Sequence, residues 1–114
     1  MKMKKLLIIE DNNDFLRLLS SILQKDFQVY QATEKKEALN VLETVAVNAI
    51  CSDHNLLDGT GLELLIKLRN SNMEIPFLLM SGNDDCCLAN LAKQYGATFC
   101  CKTDVELLEK IRKL

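Results

Sequence analysis

The sequence has no tryptophan, one proline, four glycines and one histidine in 114 residues. A lone Pro76 excludes a proline-rich linker, and so few glycines exclude a glycine-rich hinge or a collagen-like repeat. Charge of one sign is also lacking. Fourteen Lys and Arg against sixteen Asp and Glu leave a formal net charge of -2, and no long basic run occurs. Direct nucleic-acid binding by this segment is therefore not expected. No apolar run approaches the roughly 20 residues of a membrane span. The basic start Met1-Lys2-Met3-Lys4-Lys5 leads into Leu6-Leu7-Ile8-Ile9, but Glu10 stops the apolar stretch too early for a secretory leader. A cytoplasmic chain with no membrane partner is the expectation.

Cysteine is the residue not in short supply. Cys51, Cys86, Cys87, Cys100 and Cys101 make an odd count with two vicinal pairs. No C-x-x-C occurs and His54 stands alone, so a disulfide framework and a standard zinc site both lack support. The expected use of these thiols is as small apolar fillers. The competing use is a thiol-based redox or soft-metal sensor.

The chain is 48% hydrophobic and 26% charged, enough for a real core in one domain spanning 1–114. Five short apolar runs alternate with five helical patterns. The strands are expected at about Lys5 to Ile9, Phe27 to Gln31, Ala49 to Ser52, Pro76 to Met80 and Thr98 to Cys101. Phe15, Leu18, Leu19, Ile22 and Leu23 repeat at helical spacing behind a cap at Asn12 or Asn13. Thr33 can cap a second helix bearing Ala38, Val41, Leu42 and Val45. Thr60-Gly61-Leu62-Glu63 fits a capping box opening a third helix, through about Asn70. Leu88, Leu91, Ala92 and Tyr95 mark a fourth, stopped by Gly96. Thr103-Asp104-Val105-Glu106 fits another box before a fifth helix with Leu107, Leu108, Ile111 and Leu114. Alternating βα units imply an α/β fold with a parallel sheet and right-handed crossovers.

The ends of the apolar runs carry the chemistry. Glu10-Asp11 follows the first, Asp53 the third, Ser81-Gly82 the fourth and Lys102 the fifth. In a parallel sheet these endings meet on one edge, where open α/β sheets bind ligands. Three carboxylates brought together repel, and a hard dication such as Mg2+ relieves the repulsion. An ammonium and a hydroxyl beside them suit phosphoryl transfer, and a carboxylate can itself be the nucleophile. His54 borders Asp53 but phosphoryl transfer to a carboxylate needs no histidine of the acceptor's own. Asp58, Asp84 and Asp85 read as solvated loop or helix-start acids.

With these residues in this order, the chain resembles the receiver domain of two-component response regulators. The resemblance rests on Glu10-Asp11, on Asp53 with Gly61 eight residues on, on Ser81, on Lys102 and on Phe99 three residues before it. It covers essentially the whole chain. It implies a flavodoxin-like, doubly wound five-stranded parallel sheet of order 2-1-3-4-5 with five helices. It further implies that Asp53 accepts a phosphoryl group from a phosphohistidine on a sensor kinase or phosphotransfer protein. Mg2+ would be held by Glu10, Asp11, Asp53 and the backbone carbonyl of Asn55. Lys102 would pair with Asp53 and then with the phosphoryl group, and Ser81 and Phe99 would act as the switch. The module would be no enzyme, although it takes part in its own phosphotransfer and dephosphorylation. Its output would pass through the helix 4–strand 5–helix 5 face to a downstream protein or attached output domain, or into phosphorylation-dependent dimers. The alternative within the fold is a phosphorylation-independent interaction domain. A flavin-binding protein is disfavoured, because no Ser/Thr/Gly-rich phosphate loop follows the first strand. An aspartyl-nucleophile phosphatase would want Asp where Asn55 stands.

Two prolines common in the family are missing. Leu57 stands four residues after Asp53, and Thr103 follows Lys102. Ser81 replaces the commoner threonine. In the family the bond after the lysine is often cis, but without proline cis costs roughly 2.5–4 kcal/mol. A threonine cap on the last helix returns only about 1 kcal/mol and does not need cis. The expectation is a trans Lys102–Thr103 bond with Lys102 still in reach of Asp53.

Overall fold

The computed structural model describes residues 3–114; Met1 and Lys2, part of the basic start considered as a leader, lie outside them. The chain runs β1 (Lys4–Ile9), α1 (Asn13–Leu23), β2 (Phe27–Ala32), α2 (Lys35–Thr44) and β3 (Ala49–Asp53). A short hairpin follows, β4 (Asn55–Leu56) and β5 (Gly59–Thr60). The chain then continues through α3 (Gly61–Asn70), β6 (Phe77–Ser81), α4 (Cys86–Gln94), β7 (Thr98–Cys101) and α5 (Leu107–Arg112).

Five strands form one sheet of order β2-β1-β3-β6-β7, with every pair parallel. With the small hairpin set aside, this is the 2-1-3-4-5 order. Each strand of the sheet's centre is a continuous apolar run because helices cover both faces. Alternation along the strands divides those runs. Leu7, Ile9, Ile50, Phe77 and Leu79 join a core built with Ala38 of α2, Leu64, Leu65 and Leu68 of α3, and Leu88 and Ala92 of α4. Leu6, Ile8, Ala49, Cys51, Leu78, Met80 and Cys100 join a second core with Leu16, Leu19 and Leu23 of α1 and Leu107 and Ile111 of α5. No described helix is long and apolar enough to cross a membrane.

Three helix ends follow the sequence signals. Asn12 Oδ1 accepts from Phe15 N–H at 3.1 Å and caps α1. Thr60 and Glu63 close the full capping box of α3, with Glu63 N–H on Thr60 Oγ1 at 3.1 Å and Thr60 N–H on Glu63 Oε1 at 2.7 Å. Gly96, at φ +74°, ends α4 with its own N–H on Lys93 and the Ala97 N–H on Ala92, the Schellman pattern. Two ends differ. Thr33 does not cap α2. Its N–H and hydroxyl both donate to Glu37 Oε1, at 2.7 and 2.8 Å, and the first N–H groups of α2 go elsewhere, to Asp58. The Thr103–Glu106 box does not form either. Asp104 Oδ1 instead accepts from Glu106 N–H at 2.8 Å in the turn before α5, which has no side-chain cap of its own, while Thr103 Oγ1 faces Cys101 Sγ at 3.2 Å. A carboxylate one residue along is a stronger acceptor than the threonine hydroxyl and closes that turn.

Candidate functional site

Asp53 owes its position to the backbone on either side. β3 pairs with β6 as far as Asp53 opposite Met80, and His54 N–H donates to Met80 carbonyl at 2.8 Å. The strand thus keeps its line one residue past the carboxylate. Gly61 N–H then donates to the His54 carbonyl at 2.7 Å and draws the start of α3 against the strand end. A Cβ at Gly61 would collide with the Asp53 carbonyl, with Leu79 and with Ser52 Oγ, so this close approach requires glycine.

Glu10 and Asp11 leave the sheet at the end of β1, the neighbouring strand. Among the described residues, Glu10, Asp11 and Asp53 form the one cluster of metal-ligating side chains, with an oxygen of each within 4.8 Å of the others. Glu10 is 0% exposed and Asp53 4%. Lys102, just past β7, reaches across β6 to both. Its Nζ lies 2.7 Å from Glu10 Oε1 and 3.3 Å from Asp53 Oδ1. The expected reach to Asp53 is present, and no described peptide bond is cis, Lys102–Thr103 included. The shorter contact is to Glu10, a partner that the sequence did not suggest. The same ammonium stands over the ring of Phe15, 5.0 Å from its centroid.

The charges do not balance. Burial raises Glu10 to about 7, helped by the charge of Asp53, although Lys102 and the Asn12 N–H at 3.1 Å pull the other way. Burial raises Asp53 as well, against the opposing pull of Lys102. Burial pulls Lys102 down, but its hydrogen bond to Glu10 and the charge of Asp53 outweigh that, and its pKa ends above the ordinary value. One cation facing three carboxylates leaves negative charge over. All three donors offer oxygen, the preference of a hard dication that keeps some of its water. The residues present fit magnesium.

The other expected residues lie around this cluster. Ser81 ends β6, buried, with its hydroxyl accepting from Asn83 N–H at 3.3 Å and its carbonyl from Lys102 N–H at 2.8 Å. Phe99 sits opposite Leu79 in register, packs half-buried on the α2–α3–α4 core, and borders a cavity of about 500 Å3 with Gly82, Asn83 and Cys101. Asn55 opens the hairpin two residues after Asp53, exposed. His54 is half-buried, and among the described residues its Nδ1 has no hydrogen-bond partner. All five thiols are free. Burial pushes Cys51 and Cys100 above the ordinary thiol range, which suppresses thiolate chemistry at both.

Phe15 read as one more member of the α1 apolar stripe, and nothing in its spacing tells ring from core. Asp58 read as a solvated loop or helix-start acid; it is exposed and accepts from the Lys35 and Lys36 N–H groups at 2.7 and 2.9 Å, capping the start of α2 from the turn of the hairpin. Asp85 does prove a helix-start acid, accepting from Leu88 N–H at 3.1 Å.

Comparison with known proteins agrees with this geometry. The family model of the response regulator receiver domain matches residues 6–112. The chain is 29% identical over 83 residues to the alkaline phosphatase synthesis transcriptional regulatory protein PhoP of Bacillus subtilis, covering 72% of this chain and 35% of that protein. It spans about a third of that curated relative's length. A CheY-like receiver domain protein from Methanospirillum hungatei superposes with a TM-score of 0.88 at 26% identity, over 98% of this chain and 93% of that one. A response regulator from Burkholderia pseudomallei, solved with a phosphorylated aspartic acid, a calcium ion and citrate, superposes at 0.82 with 27% identity, over 95% of this chain and 65% of that one. This chain belongs to the receiver domains of two-component response regulators, of the CheY-like kind.

Proposed function

We propose that the chain is a single phosphoacceptor domain over 1–114, in which Asp53 takes a phosphoryl group from a phosphohistidine. The observation that carries this is the setting of Asp53. It is a buried carboxylate at a strand end, 3.3 Å from a fixed ammonium and clustered with two further acids. An Asp53 oxygen attacks phosphorus, the O–P bond forms as the N–P bond breaks, and the imidazole leaves with the electron pair. Lys102 stands ready to hold a phosphoryl oxygen, and Ser81 can turn its hydroxyl toward another. Burial around Glu10 and Asp53 limits water near the acyl phosphate. Glu10, Asp11, Asp53 and the Asn55 carbonyl would hold magnesium, which when bound offsets the carboxylate charge and draws charge off the phosphoryl oxygens. The domain turns over no substrate of its own.

The cavity beside Phe99 gives that ring room to move once Ser81 is drawn to the phosphoryl group. A local charge change then alters the surface of α4, β7 and α5. A sensor histidine kinase or phosphotransfer protein is the donor in this reading. The surface serves a downstream protein, an attached output domain or a second phosphorylated copy. A related protein of known structure carries a phosphorylated aspartic acid, in support of the same chemistry here. The test is incubation with magnesium and phosphoramidate, followed by intact mass. One added phosphoryl group is expected, absent in Asp53→Asn. An unlabelled parent would instead favour a phosphorylation-independent interaction domain.

A further inference from the structure

Among the described residues, the Lys102 ammonium pairs with two carboxylates and stands over one uncharged ring. Glu10 Oε1 lies at 2.7 Å, Asp53 Oδ1 at 3.3 Å, and the Phe15 ring centroid at 5.0 Å. The ring is not a chance neighbour. Phe15 N–H is fixed to Asn12 Oδ1 at 3.1 Å, and Asn12 N–H is fixed to Glu10 Oε2 at 3.1 Å. One short segment therefore sets both the carboxylate and the ring that face the lysine. Phe15 packs half-buried on the α1–α5 core, which holds the ring in place.

Phosphoryl transfer as proposed above changes both charged partners. Glu10 turns to a dication, and Asp53 becomes an acyl phosphate. The ring alone is the same before and after. We propose that Phe15 is a positioning residue for Lys102, its ring face holding the ammonium at the site while the carboxylates are engaged elsewhere. A ring face within about 6 Å attracts an ammonium through its quadrupole, and the attraction strengthens where water is excluded. An aliphatic side chain of similar bulk fills the same space without that attraction. The inference rests on the phosphoacceptor reading.

The test compares Phe15→Leu and Phe15→Tyr, alone and with Lys102→Met. In metal-free protein the Lys102 methylene protons next to Nζ are followed by NMR. Leucine should move them downfield as ring shielding is lost, and tyrosine should leave them in place. At saturating magnesium, labelling by phosphoramidate should slow about three- to tenfold with leucine, the range of a cation–π contact, and recover with tyrosine. In the Lys102→Met background leucine should make no further difference. Equal slowing by leucine and tyrosine, or the same slowing with and without Lys102, would reduce Phe15 to packing and overturn the inference. If the parent itself takes no label, the phosphoacceptor reading fails first and this one falls with it. A labelled parent with indifferent Phe15 variants removes only this inference.

Discussion

Asp53 and Asp58 stand five residues apart on one connection, in opposite surroundings. Asp53 is buried beside two acids, and burial raises its pKa despite Lys102. Asp58 is exposed at the turn of the hairpin. Its slight burial pulls upward, but the Lys35 and Lys36 N–H groups outweigh this and hold the carboxyl below the usual range. The fold makes the charge of Asp53 costly and the charge of Asp58 favourable. A costly charge is one that a dication or a phosphoryl group can relieve, so it suits reaction. A favourable charge ties α2 to the connection that leaves the site, so it suits architecture.

Exchange of each aspartate for asparagine tests the contrast most strongly. Asp53→Asn should abolish phosphate incorporation from phosphoramidate, read by intact mass, while Asp58→Asn should label like the parent. Equal labelling of both variants would erase the distinction.

The next effect is that of the metal on the crowded side. Magnesium should raise the melting temperature of the parent, since a ligand at a hundred times its Kd stabilises by about 2.7 kcal/mol. Asp11→Ala should remove most of that gain, and Asp58→Ala should leave it whole. Differential scanning fluorimetry across a magnesium series separates the two.

The pH dependence should also differ in sign. Glu10 is raised from 4.5 to about 7, so the native state holds its proton longer than the unfolded chain does. Its contribution to stability is fully present below 4.5 and is lost as pH rises through about 7. Asp58 is lowered, so its contribution is present above its ordinary value of 3.8 and is lost as pH falls through the depressed one. Urea midpoints in chelator should therefore fall between pH 4.5 and 7, and Glu10→Gln should flatten that decline. Asp58→Ala should leave the decline unchanged.

How much of this was legible follows the same division. The sheet and the acid cluster could be read because each strand end places one polar residue directly after an apolar run, as at Glu10, Asp53 and Lys102. The order of the strands came from the resemblance, since periodicity does not rank neighbours. Contacts that depend on two loops meeting were not legible. The turn carrying Asp58 lies twenty-three positions from Lys35, and a capping aspartate there looks like any turn aspartate. Thr33 and Thr103 fitted local capping patterns and lost to better acceptors, Asp58 from a distant loop and Asp104 from the next position. The preference of Lys102 for Glu10 over Asp53 was equally hidden, because it depends on which carboxylate is held closer.

The smallest effect tests whether the architectural half of the contrast holds in solution. Asp58→Ala leaves the Lys35 and Lys36 N–H groups to water. Loss of a capping carboxylate costs about 1 kcal/mol, and a side chain standing in solvent should not exceed that. Asparagine keeps one amide oxygen and should lose less than alanine. The change should lower the urea midpoint without altering m, because the surface exposed on unfolding is nearly the same. Since Asp58 fixes the hairpin to α2, amide exchange should quicken at Lys35 and Lys36 in the alanine variant, and not at Glu10. An unchanged midpoint with unchanged exchange would mean that water serves those amides as well as the carboxylate does. Asp58 would then be a solvated loop acid, and only the buried member of the pair would owe its character to the fold.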